Sequence, residues 1–165
     1  MLHLHTLAIV LHAVSAIGVF IIGIICIAQS TIPRQLPLAR AVFVLLILMV
    51  LFLVVAIFLH VSSLPTLTRI IFGGLTILAV YMLWRAFQAL SVLREPHGDP
   101  VAVIDHIGFV LISLFDGFAI VSSIDLHAPG WLIAIVAIGA VAVGIYAINR
   151  RKKTFSMQRR IVHQK

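Results

Sequence analysis

The chain has 165 residues, of which 62% are hydrophobic and only 10% are charged. Its mean hydropathy is +1.21. Soluble domains carry about 25% charged residues, so the composition excludes an ordinary soluble domain and predicts an integral membrane protein. The formal charge of +7 lies mostly beside apolar segments, where basic residues orient helices and contact lipid, and we therefore expect no nucleic-acid partner. The single cysteine excludes a disulfide framework and a CxxC pair.

Five apolar segments are long enough to cross a membrane, which takes about 20 residues as a helix. They cover residues 5–28, 38–61, 67–90, 103–126 and 130–149. Proline, glycine and serine separate them, as at Pro33 and Pro37 or at Pro96 and Gly98. The sequence thus predicts an all-α, polytopic membrane helix bundle with five transmembrane helices. We expect one domain over residues 1–149, followed by a basic cytoplasmic tail over residues 150–165.

Orientation is predicted from the basic residues, because cytoplasmic segments retain arginine and lysine. With five spans and a cytoplasmic C-terminus, only Arg69 lies on the outer side. The other basic residues all fall in the cytoplasmic half: Arg34, Arg40, Arg85, Arg94, Arg150, Arg151, Lys152, Lys153, Arg159, Arg160 and Lys165. The first run lacks the basic start of a secretory signal peptide, so we count it as a helix. We expect a multi-pass protein of the cell membrane with its N-terminus outside.

The tail interleaves its basic residues with Phe155, Met157, Ile161 and Val162. Such a segment can lie on anionic lipids, each basic residue contributing about 1 kcal/mol near the surface, or it can be the basic flank that follows any last span. The last helix also carries a stripe of small residues suited to close helix packing, either within the bundle or against a membrane-protein partner or second copy: Ala137, Ala140, Gly144 and Ala147.

The fourth span is apolar yet carries three of the five acidic residues of the chain. Asp105, Asp116 and Ser123 fall within roughly 20° of one another on a helix, so they form one polar face. The third and fourth spans are joined by a short loop and are expected to be antiparallel neighbours. Equal depths then predict an ion pair between Arg85 and Asp105 and a hydrogen bond between Tyr81 and Asp116, since unpaired polar groups are expensive in lipid.

Asp116 has a functional and a structural interpretation. It could be a protonatable site on a proton or ion path that ends at Asp105 and Ser123. It could equally be a neutral, hydrogen-bonded carboxylic acid that fastens two helices. Both interpretations stay open at the level of sequence.

The histidines suggest two further sites. On the outer side, His3, His5, Asp125 and His127 could bind copper or zinc, although they also suit interfacial helix ends. A haem would need two facing histidines at one depth, for which His12 and His60 are the best pair. No cofactor is predicted from these patterns, and haem or copper remains an alternative.

The first helix contains Leu11-His12-Ala13-Val14-Ser15-Ala16-Ile17-Gly18, which resembles the histidine-bearing first helix of CopD-type copper-resistance membrane proteins. The likeness covers one helix and carries no site residue over. No Ser-His-Asp constellation, phosphate loop or HExxH motif occurs in the sequence. The sequence therefore favours a small non-enzymatic membrane protein, acting alone or as a subunit of a larger assembly. The alternatives are proton or metal-ion transport and, third, a haem or copper electron carrier.

Overall fold

The computed structural model describes residues 2–29, 31–60, 66–95 and 98–163, and these ranges contain five α-helices and no strand. The helices are α1 (Leu2–Ala28), α2 (Ile32–His60), α3 (Thr66–Arg94), α4 (Pro100–Asp125) and α5 (Gly130–His163). All five are long and apolar enough to cross a membrane. The all-helical class and the five helices of spanning length are confirmed, and they indicate a multi-pass membrane protein.

All five helices are longer than their predicted spans, and the difference matters most for α2 and α5. α2 begins at Ile32 and includes both Pro33 and Pro37, which the sequence suggested as part of a break. Proline is tolerated in the first turn, where its missing N–H has no partner, and the bond lost at Pro37 would have reached only the first turn. α5 does not end at Asn149 but continues through the basic segment to His163. The helix continues because basic residues are good helix formers and no proline or glycine follows Asn149.

Local signals define both ends of α4. Asp99 is the N-cap, and its side chain accepts a hydrogen bond of 3.0 Å from the backbone N–H of Val101, with Pro100 in the first turn. At the other end, His127 adopts a positive φ of 55°. The N–H groups of His127 and Ala128 bond to the carbonyl oxygens of Ile124 and Ser123, which is the Schellman arrangement. α4 therefore starts and stops without help from other helices.

α1 to α4 form a closed ring of antiparallel neighbours, with α1 against α2, α2 against α3, α3 against α4 and α4 against α1. α5 lies outside this ring and packs along α4. None of the residues in the most apolar window of α5 is buried. The ring buries a core that includes Val19, Leu46 and Ile107, and α5 covers only one side of it.

α4 and α5 approach closely because each offers a glycine to an isoleucine of the other. A Cβ added to Gly108 would lie 2.6 Å from Ile148 Cδ1, and one added to Gly144 would lie 2.5 Å from Ile112 Cγ1. Each isoleucine thus occupies the space that a larger residue would need. Gly144 belongs to the small-residue stripe, so at this position the stripe serves packing within the bundle.

The two ends of the bundle differ in composition. We call one end the basic end, because it carries the basic residues Arg34, Arg40, Arg94 and Arg150 to Lys153. The other is the histidine end, which carries His3, His5 and His127. Most fully buried residues lie in the half nearer the basic end: Cys26, Gln35, Ala39, Val42, Leu46, Ala86, Ala89, Val103, Ile104 and Ile107.

Candidate functional site

The main polar cluster of the bundle is centred on Asp105 in the first turns of α4. Its Oδ2 lies 3.2 Å from Nη2 of Arg85 on α3, and its Oδ1 lies 2.7 Å from Nζ of Lys152 on α5. The side chains of Asp105, Arg85 and Lys152 are 48%, 20% and 30% exposed. The expected contact between Arg85 and Asp105 is therefore present. We call these three residues the charged triad, and its role in function stays a prediction.

The triad opens on a groove between α3 and α5. A cleft of about 190 Å³ there is lined by Arg85, Asp105, Phe109, Ile112, Ile145, Ile148 and Asn149. Arg85 also stacks on the ring of Phe109, with its guanidinium carbon 5.2 Å from the ring centre. The cleft places Arg85 and Asp105 against apolar walls, where their attraction is stronger than in bulk water. Its contacts fasten α3, α4 and α5 together.

A second set of polar contacts closes the C-terminal end of α1. Arg151 donates from Nε to the carbonyl oxygen of Ile27 at 3.3 Å and from Nη2 to that of Ala28 at 2.7 Å. Gln35 Nε2 donates to the carbonyl oxygen of Gln29 at 3.0 Å. The last carbonyls of a helix lack partners within the helix and carry partial negative charge, so a guanidinium is well suited to them. Arg151 thereby ties α5 to α1.

The prediction of a hydrogen bond between Tyr81 and Asp116 is wrong. Along antiparallel neighbours, a step of four residues back on α3 corresponds to four residues forward on α4, so the Arg85 to Asp105 contact places Tyr81 opposite Phe109. The rings of Tyr81 and Phe109 indeed meet edge to face at 5.1 Å. The register that satisfies one predicted pair therefore excludes the other, because Asp116 lies two turns beyond Phe109.

Asp116 instead lies level with the glycine pair of α3. Gly117 is near Leu75, since an added Cβ would lie 3.9 Å from Leu75 Cδ2, and nothing lies within 4 Å of a Cβ added to Gly73 or Gly74. Asp116 Oδ1 is buried and has no hydrogen-bond partner in the described part of the chain. Ser123, at the far end of the predicted polar face, donates its hydroxyl to the carbonyl oxygen of Ala119 at 2.7 Å, within its own helix. Ser123 thus does not extend a chain of hydrogen bonds from Asp116.

His12 has a partner of its own. Its Nδ1 lies 2.9 Å from the backbone carbonyl oxygen of Met49, so the protonated Nδ1 donates to α2. Met49 marks the level of His12 on α2, and His60 lies roughly 16 Å further along that helix at 1.5 Å per residue. The side chain of His60 lies outside the described residues. The haem pair is therefore not tested, but its two positions are not at one depth.

The metal candidates near the histidine end lie at helix ends. Asp125 and His127 are exposed, and the backbone of His127 forms the C-terminal cap of α4. No group of three metal-binding side chains is found among the described residues. His3 and His5 lie in the first turns of α1. A metal site at these four residues remains a prediction without a described geometry.

Sequence reasoning missed Lys152, Arg151 and Gln35. Gln35 was missed because residues 29–37 were expected to form a loop. Arg151 and Lys152 were missed because the segment after Asn149 was expected to be a tail. The helical period contained a usable signal, because Gly144, Ile148, Arg151, Lys152 and Phe155 share one face of α5 when the helix is continued. Phe155 is 3% exposed and belongs to the core. The side chains after Phe155, including Arg159 and Arg160, lie outside the described residues.

Comparison with known proteins adds no family: no family model, no curated protein and no solved structure matches this chain. The likeness of the first helix to CopD-type proteins stays confined to the residues that carry it. Function must therefore be argued from the side chains of this molecule and from their surroundings.

Proposed function

We propose that this protein is a non-enzymatic, multi-pass protein of the cell membrane that acts as a subunit of a larger membrane assembly. What carries the proposal is α5, a spanning helix with one full neighbour and no buried residue in its most apolar window. It presents large side chains outward, among them Trp131 at 66%, Ile138 at 71% and Tyr146 at 69% exposure. A broad apolar face of this kind offers a packing surface for another helix.

The use of the polar groups supports the same proposal. Arg85, Asp105, Lys152 and Arg151 all bind across helix boundaries, and the extramembrane connections are short. These polar side chains therefore hold the helices in register. The assembly partner is expected to be a membrane protein or a second copy of this chain.

Cross-linking from single cysteines tests the subunit role. In a Cys26→Ser background, Ile138→Cys on α5 should cross-link in native membranes to a defined partner, which mass spectrometry identifies. Val14→Cys on α1, whose side chain is 62% exposed, is the matched control and should give weaker cross-links. A protein that gives no cross-link from Ile138→Cys and runs as a monomer in mild detergent does not act as a subunit.

The proposed topology has the basic end in the cytoplasm and the N-terminus outside. It is supported by the distribution of arginine and lysine, with only Arg69 on the outer side. A reporter fused after Lys165 should be active only if it works in the cytoplasm, and one inserted near Pro65 only if it works outside. The reverse pattern contradicts the topology.

A proton or metal-ion path along α4 is the second candidate. The observation in its favour is the buried, unpartnered Oδ1 of Asp116, level with two glycines that leave open space. An intramembrane carboxylate without a partner is expensive unless it serves an ion or a proton. Flux into proteoliposomes should fall with Asp116→Asn and stay unchanged with Asp125→Asn, an exposed acid at the end of the same helix. Equal flux in both variants excludes Asp116 from any path.

A further inference from the structure

The basic run at residues 150–153 is divided by the helix into side chains with different tasks. Arg151 and Lys152 point to the bundle, where they bind the end of α1 and Asp105. Arg150 lies on the opposite side of α5 and is exposed. Its side chain has no hydrogen bond or ion pair in the described part of the chain. The guanidinium of Arg150 therefore faces outward and does not connect helices.

Arg150 lies at one end of a shallow cleft of about 310 Å³ on α5. The cleft is lined by Val143, Tyr146, Ala147, Arg150, Arg151 and Thr154. Its apolar part, from Val143 to Ala147, faces the span, and its cationic part, at Arg150, faces the basic end. The Thr154 hydroxyl donates to the carbonyl oxygen of Arg150 at 3.1 Å, within the same helix. At 1.5 Å per residue, Val143 and Arg150 are separated by about 10 Å along the helix. None of the described residues that line the cleft carries a carboxylate.

We propose that this cleft binds one anionic phospholipid, with the phosphate at Arg150 and the first acyl carbons along Val143 and Ala147. A guanidinium provides several N–H donors to a phosphate in a fixed fork, and tyrosine suits the level between headgroup and acyl chain. The order of apolar and cationic side chains along α5 matches the order of chain and headgroup in a lipid. This site overlaps the proposed partner surface at Tyr146, but its test uses Arg150 and Ala147, whereas the test of the subunit role uses Ile138.

The separation of polar from apolar lining favours a lipid over a soluble phosphate. A soluble phosphate would use Arg150 but would leave Val143 and Ala147 without a role. A lipid would cover both parts and would bury apolar surface as well as pair a charge. Ala147 is exposed, so replacing it with a larger side chain tests the apolar part of the cleft.

Native mass spectrometry of the full chain in mild detergent tests the site by titration with dioleoylphosphatidylglycerol and dioleoylphosphatidylcholine, which share acyl chains. The first phosphatidylglycerol should bind more tightly than phosphatidylcholine. Arg150→Gln should weaken that first binding about fivefold, the value expected for one basic residue near the headgroups. Arg94→Gln is the matched control, since Arg94 is also exposed at the basic end but lies on α3. It should leave the first binding event unchanged.

Filling the apolar part separates a site from diffuse attraction. Ala147→Phe should weaken phosphatidylglycerol binding without changing charge, whereas Gly139→Phe, at an open position further along α5, should not. Millimolar glycerol phosphate should not displace the lipid. Equal effects of Arg150→Gln and Arg94→Gln, no effect of Ala147→Phe, or full displacement by glycerol phosphate would each overturn the proposal.

Discussion

The polar contacts described at the two ends of this bundle are of different kinds. At the basic end, polar side chains join different helices: Arg85 and Lys152 bind Asp105, and Arg151 binds the last carbonyls of α1. At the histidine end, the described hydrogen bonds around His127 and Ala128 link residues close in sequence. Fully buried residues are also concentrated toward the basic end. The hydrogen bonds described at the basic end therefore join different helices, whereas those described at His127 and Ala128 are local backbone caps.

Helix direction explains why the fastening is basic. Three helices, α1, α3 and α5, end at the basic end, while α2 and α4 begin there. The C-terminus of a helix carries partial negative charge and unbonded carbonyl oxygens, so arginine and lysine are favourable beside it. The basic residues from which the orientation is predicted can thus also hold the helix ends together. The comparison shows that basic residues gathered at one end of a helix bundle can also form its tertiary contacts.

Loss of Asp105 should have the largest effect, because it leaves Arg85 and Lys152 beside each other without a counter-charge. We expect Asp105→Asn to lower the free energy of unfolding in mild detergent by about 2 kcal/mol, less than for a fully buried pair because Asp105 is half exposed. Glu95→Gln, an exposed acid near the same end, is the control and should have little effect. Equal stability of the two variants would show that the triad does not fasten the basic end.

The charged triad also predicts that exchanging the charges of Arg85 and Asp105 does not restore stability. With Arg85→Asp and Asp105→Arg together, the new arginine would lie beside Lys152, so exchanging the pair should not restore stability. Adding Lys152→Glu should restore part of it. Recovery in the double variant alone would mean that Lys152 does not contribute.

The next largest effect on stability is expected from the packing of α5 on α4. Gly144→Ala would place a Cβ 2.5 Å from Ile112 Cγ1, an inner atom of a stiff β-branched side chain, and should cost about 1–2 kcal/mol of stability. Gly139→Ala, in the same helix but with nothing within 4 Å, should be neutral or stabilise by up to about 1 kcal/mol. Thermal unfolding in detergent measures both. The double variant Gly144→Ala with Ile112→Val should recover part of the loss.

Substitutions of Arg150 and Arg151 distinguish the effect of capping α1 from the effect of losing a positive charge. Arg151→Ala removes two hydrogen bonds to the end of α1 and should lower stability by about 1–2 kcal/mol. Arg150→Ala should change it by no more than about 0.5 kcal/mol, as is usual for an exposed residue. Both variants lose the same charge, so any difference measures the cap. Equal melting temperatures would show that the contacts to Ile27 and Ala28 do not stabilise the fold.

The smallest effect is expected at the histidine end. His127→Gly should raise stability by about 0.5 kcal/mol, because glycine adopts the positive φ of the cap without strain. Ala128→Gly should lower it slightly, since Ala128 has no positive φ and glycine adds freedom to the unfolded chain. A loss of more than about 1 kcal/mol with His127→Gly would mean that the imidazole holds the end of α4 and not its backbone.

Part of the candidate site could be predicted from spacing and depth. Arg85 and Asp105 lie at matching distances from the centres of neighbouring antiparallel helices, and their contact followed from that match. Tyr81 and Asp116 were paired by the same rule, but depth has an error of about one or two turns while register permits one pairing only. Lys152 could not be predicted, because its contact depends on α5 continuing beyond the apolar span and packing along α4.

The sequence by itself determined that this is a helical membrane protein, because five apolar segments of spanning length leave no other way to satisfy the backbone in lipid. It also predicted the fourth span as residues 103–126, within three residues of α4, and the structure adds the local caps at Asp99, Pro100 and His127. Only the tertiary structure decided which helices are neighbours, that α5 lies outside the ring, and that Asp105 has two cationic partners. The physical reason is that apolar periodicity sets how much of a helix faces lipid or protein, whereas helix order and register depend on contacts such as Gly144 against Ile112, which form only between distant segments.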